Sequence, residues 1–181
     1  MSPKLRKYLI LAHLWFAGIM APAFALHAIS GGLNLMNIKG EARTERVALP
    51  SGATLDFQSA TLEEDVRELL KTAKLKDNFE SAQKRGDVIQ LRPTSKTYFE
   101  FRQTPQGLSA SRVKPDTVRS MMALHKGHGP KMFQSYQKLV AILLVGIILG
   151  GILIGLMAKA YRLQTIIAVI AGVGIFVTLA L

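Results

Sequence analysis

The residues of this chain best suited to chemistry are four histidines, and they are unevenly placed. His13 and His27 fall within an apolar stretch near the N-terminal end, and His125 and His128 come just before a second one. Neutral imidazole is a common metal ligand and binds haem iron axially. An ionisable side chain inside an apolar span is costly and is usually kept for a role. His13 and His27 are close to four helical turns apart, so they share a face but lie about 21 Å apart along the axis, too far to hold one ligand. His27 and His125 are expected at similar depth, able to face each other if their helices pack, with His128 as an alternative partner. His13 has no histidine mate at its depth. The residues leave two readings open. In one, His27 and His125 (with His128 or His13 as alternates) hold a b-type haem iron. In the other, His13 bonds a carbonyl of a neighbouring helix, while His125 and His128 are interfacial polar anchors.

Other chemistry has little to stand on. Without cysteine there is no disulfide framework, thiolate nucleophile or Cys-ligated metal. The sequence carries no Gly-rich phosphate loop, no His-Glu-x-x-His and no nucleophile elbow. The acidic run Glu63-Glu64-Asp65 is what a helix N-terminus favours in any case. No catalytic residue is expected, and no metal beyond a haem iron. The chain reads as a non-enzyme, at most an electron-transfer component.

The elements that position these residues are dominated by three stretches without Asp, Glu, Lys or Arg: Tyr8–Ile29, Leu139–Ala158 and Leu163–Leu181. At about 1.5 Å per residue each crosses a hydrocarbon layer about 30 Å thick. Lipid offers the backbone no hydrogen-bond partners, so these stretches are expected to be helices. The predicted division is a cytoplasmic segment 1–7, a first span 8–29 bent near Pro22 and ended by Ser30-Gly31-Gly32, and an outward domain 30–116. An interfacial helix and turn (117–130), a second span (131–158), a cytoplasmic turn (159–162) and a third span (163–181) follow. Lys4, Arg6 and Lys7 before the first span, and Lys159 and Arg162 in the turn, place both short segments in the cytoplasm. The domain then faces the periplasm of a bacterial inner membrane. Ala23-Phe24-Ala25 resembles a signal-peptide cleavage site, but apolar character continues through Leu26, Ala28 and Ile29, and the stretch is read as a retained span. Gly146, Gly150, Gly151 and Gly155 have small-xxx-small spacing that lets helices approach closely, for a neighbouring helix or a second copy of the chain.

The net charge of +11 loses its nucleic-acid flavour once placed. All the carboxylates lie between Gly31 and Lys138, where basic residues still outnumber them in a spread-out pattern. A solvated basic face, or attraction to anionic lipid headgroups, is the expectation. Within this region Thr61 and Glu64 have capping-box spacing and predict a helix to about Ala73. Asp77–Arg85 reads as a short helix stopped by Gly86. Alternation over Val88–Arg92, Tyr98–Arg102 and Leu108–Lys114, with turns at Pro93–Lys96 and Thr104–Gly107, predicts a three-stranded antiparallel meander. Short strands are expected at Arg46–Leu49 and Thr54–Phe57. Asp116 is the expected N-cap of an amphipathic helix whose Val118, Met121, Met122 and His125 lie along the membrane interface. The predicted fold class is an α+β membrane protein, three transmembrane helices with a small extracytoplasmic domain of one helix on a three-stranded sheet.

A helix with a small antiparallel sheet, followed by Leu124-His125-Lys126-Gly127 and a glycine-rich span, resembles the PepSY-associated transmembrane proteins. The segment His13-Leu14-Trp15-Phe16-Ala17-Gly18 is similar to the His–aromatic–Gly start of that family's first span. The likeness runs from about Lys4 to Met157. Larger members have four or more spans and paired domains, and Lys114-Pro115-Asp116 stands where an Asp–Thr–Gly-like ending is usual. The resemblance implies a periplasmic interaction or inhibitory module, with a membrane or periplasmic protein as partner. It also implies a link to inner-membrane ferric-siderophore reductases, which hold b-type haem between membrane histidines, and so to iron and electron handling. The cofactor-free alternative is a regulatory or structural module that restrains a periplasmic protease.

Overall fold

The computed structural model describes residues 3–181, so Met1 and Ser2 of the expected cytoplasmic segment lie outside the described residues. The elements in order are α1 (Pro3–Leu35), β1 (Ala42–Val47), α2 (Leu62–Thr72), β2 (Ser81–Arg85), β3 (Val88–Arg92), β4 (Tyr98–Thr104), β5 (Gly107–Pro115), α3 (Thr117–His125), α4 (Lys131–Met157) and α5 (Arg162–Ala180). The chain divides into two compact units. One holds residues up to Phe24 and from Lys138 onward, and the other runs from Ala25 to Gln137.

The first unit is helical, and α1, α4 and α5 are long and apolar enough to cross a membrane. Their large apolar side chains stand exposed, among them Leu14, Ile142, Ile170 and Phe176. A surface of this kind belongs in lipid rather than water. Within this unit the small residues make close approaches. A β-carbon on Gly151 would come within 3.2 Å of the His13 ring, and one on Gly155 would collide with Thr165. Gly150 sits at ordinary contact distance from His13, whereas Gly146 faces open space. The small-residue pairs therefore serve two different neighbours, His13 of α1 and Thr165 of α5.

The second unit is built on a five-stranded antiparallel sheet of order β1-β5-β4-β3-β2. The register pairs Ile89 with Phe101 and Phe101 with Ala110, so period-2 alternation puts all three on one face. Against that face lie Val66 and Leu70 of α2, together with Leu55, Phe79, Leu91 and Phe99, as one apolar core. Phe101, Leu70, Ile89 and Val66 are fully buried. The opposite face carries Gln90, Arg92, Tyr98 and Val113, and α3 packs on its β5 side with Met122 and Ala123 buried.

Several expectations are corrected. The sheet has five strands rather than three, because both edge strands are polar and show no apolar alternation. Ser81–Arg85 is β2, not a short helix: Gly86, at φ +59°, forms a hairpin turn in which Arg85 pairs with Val88. A positive-φ glycine marks a helix end or a tight hairpin equally well, and pairing with β3 decides between them. The first edge strand is Ala42–Val47, matched to β5 along its length, while Thr54–Phe57 is irregular and contributes Leu55 to the core. The first helix does not stop at Ser30-Gly31-Gly32. Its end comes at Asn37 (φ 60°), where Ile38 N–H donates to Leu33 O and Asn37 N–H to Asn34 O, the double bond of a Schellman ending. Thr61 precedes α2 without a side-chain cap to the backbone, its hydroxyl facing Asp65 instead. Glu63 accepts from Ala82 N–H at 3.1 Å and so ties α2 to β2. Met122 and Ala123 of α3 are buried, and the helix packs on the β5 side of the sheet. The expected cap is present: Asp116 accepts from Arg119 N–H at 2.7 Å and from Glu41 N–H at 2.8 Å.

Phe101→Ala should remove about 3–5 kcal/mol of the domain's stability by leaving a cavity in a core with no slack. Lys84→Ala, on an exposed part of β2, should stay within about 0.5 kcal/mol of the parent. Denaturant titration followed by Tyr and Phe absorbance reads both, and equal losses would contradict the described core.

Candidate functional site

The second unit brings two of the four histidines together. The His27 and His125 rings meet at a centroid distance of 4.9 Å, tilted by 39°. Each is held by hydrogen bonds that specify its tautomer. Ser30, itself buried, donates its hydroxyl proton to Leu26 O at 2.6 Å, so its contact with His125 Nδ1 at 2.7 Å has the ring N–H donating to Oγ. The Gln137 amide donates one proton to Leu124 O at 2.8 Å and the other to His27 Nε2 at 3.2 Å, which makes that nitrogen an acceptor. Gln137 Oε1 is buried without a partner. The C-terminal part of α1, the end of α3 and the first turns of α4 are thus joined by one polar junction. Gly31 lies beside it, and a β-carbon there would make ordinary contact with the His125 ring at 3.6 Å.

An iron between two imidazoles, each nitrogen about 2 Å from the metal, would hold the ring centres roughly 6 Å apart, whereas the His27 and His125 rings are in direct contact. Their bonds to Ser30 and Gln137 use one nitrogen of each ring, His125 Nδ1 and His27 Nε2, as the non-ligating nitrogen of a metal-bound imidazole also does. His128 does not join them. Its backbone carbonyl accepts from Thr94 N–H at 3.0 Å, and its ring lines a separate cavity. His13 belongs to the first unit, where Nδ1 is buried without a partner in an apolar cleft of about 220 Å³ lined by Phe16, Leu143 and Gly150. Among the described residues no group of three or more His, Cys, Asp or Glu could hold a metal ion.

The cavity that His128 lines lies between the polar face of the sheet and α3, with a volume of about 220 Å³. Lys39, Arg85, Arg119 and Lys126 line it, with no Asp or Glu in its wall. Tyr98, Thr94 and Gln90 supply neutral polar groups. Beside it lies Arg92, 4% exposed, whose guanidinium donates only to neutral acceptors: Gln83 Oε1 at 2.9 and 3.2 Å and Thr94 Oγ1 at 3.3 Å. The ion pairs among the described residues are Arg43–Glu45, Arg67–Asp77 and Arg112–Glu45, so no cation of this cavity is paired within 4 Å. The nearby carboxylates are otherwise engaged. Glu100 accepts from the Gln90 amide at 2.9 Å, and Asp116 caps α3, its carboxyl held below the usual range chiefly by the Arg119 and Glu41 amides. Burial and the Arg85 charge lower the Arg92 pKa. Burial first, then the Arg92, Arg85 and Lys126 charges, push the His128 imidazole down to about 4.

Lys39, Arg85, Arg92, Arg119 and Lys126 went unrecognised as a group from sequence, because they come from one linker, two strands and the ends of one helix, with no common spacing. Only Arg92 left a trace, as a charge inside an alternating strand next to Pro93. The chain matches no family model, and neither curated proteins nor solved structures give a match.

The low His128 pKa has a consequence for stability. An unfolded imidazole binds its proton near pH 6.5, the folded one only near 4, so the unfolded state takes up more protons in that window. Stability is therefore expected to fall as pH drops from about 6.5 to about 4, and His128→Gln should flatten that slope. Asp116 adds a further loss at lower pH, below its ordinary carboxyl range. Denaturation midpoints measured across pH 4–7 check this; an unchanged slope in His128→Gln would remove His128 as its source.

Proposed function

We propose that this chain is a membrane-anchored binding module that works without a redox cofactor, its α+β domain facing the periplasm and engaging a partner there. The observation that carries the reading is the junction of His27, Ser30, His125 and Gln137. The two imidazoles tie α1, α3 and α4 together, with one nitrogen of each on Ser30 or Gln137 and their rings in direct contact, leaving no room for an iron between them in this arrangement. The PepSY resemblance supports the same reading through its short motifs, Leu124–Gly127 and His13–Gly18, and through the helix-on-antiparallel-sheet form of the domain. The inner-membrane orientation rests on Lys4, Arg6, Lys7, Lys159 and Arg162 flanking the spans.

Two measurements test this. A reporter active only in the periplasm should work when fused after Gln106 and fail after Tyr161; activity after Tyr161 would overturn the orientation. Purified protein, expressed with added haem precursor, should show no Soret band. A Soret band lost in both His27→Ala and His125→Ala would replace the module with an electron carrier. In the proposed reading His27→Ala lowers domain stability by about 1–3 kcal/mol, because it leaves the Gln137 amide without its acceptor. Ser30→Ala and His125→Ala, which break the hydrogen bond between those two side chains, each cost about 1 kcal/mol.

A further inference from the structure

We propose that the cavity between the polar sheet face and α3 is a binding site for a phosphate group, carried by a lipid headgroup or by a free phosphate.

Cation density is the first argument. Lys39, Arg85, Arg119 and Lys126 converge on about 220 Å³ with no carboxylate in the wall. Like charges gathered in this way repel one another, and a protein that keeps them without counter-charge carries a standing cost. Arg92 sharpens the point. A guanidinium that is 4% exposed and bonded only to the neutral oxygens of Gln83 and Thr94 is a buried charge lacking an anion. An entering anion would offset these charges, Arg92 above all.

The donor set selects the kind of anion. Two guanidinium groups offer planar forks and two ammonium groups offer point charges, while Tyr98, Thr94 and Gln90 line the inner wall. A carboxylate, with two oxygens and a single charge, leaves most of these donors unmet. Tetrahedral phosphate brings more acceptor oxygens and up to two charges, and it is the group that arginine forks and lysines recognise together. Position favours access to headgroups. Asn34 and Lys39 follow the apolar run of α1, and Lys126 and His128 immediately precede α4, so two walls of the cavity come from chain next to candidate spans. Anionic headgroups attract such juxtamembrane cations. His128 is a built-in reporter, because its imidazole is held low partly by the Arg92, Arg85 and Lys126 charges that an anion would offset.

The test uses the full chain, labelled with ¹⁵N-histidine, in maltoside micelles and phosphate-free buffer at constant ionic strength, with His128→Gln assigning the resonance. Inorganic phosphate, phosphatidylglycerol doped into the micelle, and acetate are added in separate arms. Binding should raise the His128 pKa by about one pH unit or more and raise the thermal midpoint with ligand concentration. A response to phosphatidylglycerol alone identifies a headgroup site, one to inorganic phosphate alone a free-phosphate site, and one to both a site for the phosphate group itself. Arg85→Gln with Lys126→Gln, both exposed and outside the core, should weaken binding by about tenfold or more, while Lys84→Gln leaves it unchanged. No response to either phosphate source, an equal response to acetate, or undiminished binding by the Arg85→Gln, Lys126→Gln variant overturns the proposal. None of these outcomes bears on the Soret and topology measurements, so the two readings fail separately.

Discussion

The antiparallel register of the five strands is the constraint from which the rest of the domain follows. Pairing Ile89 with Phe101 and Phe101 with Ala110 commits one face to apolar burial, since a slip of a single residue would turn every side chain over. The same pairing sends Gln90, Arg92 and Tyr98 to the other face. One choice of register therefore produces both the core under α2 and the polar floor under α3. The edges are managed locally: Glu63 takes an amide of β2, and Glu45 pairs with Arg43 and Arg112 at the β1 side.

Helix ends carry the connection between elements. α1, α2 and α3 each close with a positive-φ residue, Asn37, Lys74 and Gly127 respectively, and each returns an amide five residues back, to Leu33, Leu70 and Ala123. α4 starts differently. Its first amide, on Lys131, donates to Glu80 at 2.6 Å, a carboxylate delivered from the approach to β2. Such a cap suits the positive end of a helix, and it is one that no local motif announces. The polar junction of His27, Ser30, His125 and Gln137 adds a second tie among the same helices. The C-terminal part of α1 and the start of α4 are thus held to α3 and to the approach to β2 by hydrogen bonds.

The two polar features of the domain have opposite character. In the junction, Ser30, His125 Nδ1, His27 Nε2 and the Gln137 amide nitrogen all have hydrogen-bond partners, and Gln137 Oε1 is buried without one. Matched groups hold structure and have little left to offer a ligand. In the cavity, cations outnumber carboxylates, and the pKa of both Arg92 and His128 is lowered, first by burial and then by the neighbouring cations. The histidines drew attention because imidazole is versatile; the arginines and lysines carry the unbalanced charge.

Much was determined by the sequence alone. The three long apolar helices were legible because some twenty apolar residues in a row have few structural uses. The central strands, expected at Val88–Arg92, Tyr98–Arg102 and Leu108–Lys114, were legible because alternation and turn residues agree. Asp116 announced its helix by residue type. Other features depend on partners distant in the chain. Gly86 became a hairpin turn only because β3 was there to pair, and the polar edge strands β1 and β2 carry no periodicity of their own. Burial of Met122 and Ala123 where α3 packs beside β5 depends on the sheet's position, not on the helix's own pattern. That His27 would meet His125, while His128 turned to a different cavity, follows from where α3 ends and how Gly127 reverses the chain. The convergence of Lys39, Arg85, Arg92, Arg119 and Lys126 was decided by tertiary structure alone, because charge has no spacing rule, and only folding brings a linker, two strands and a helix to one point in space.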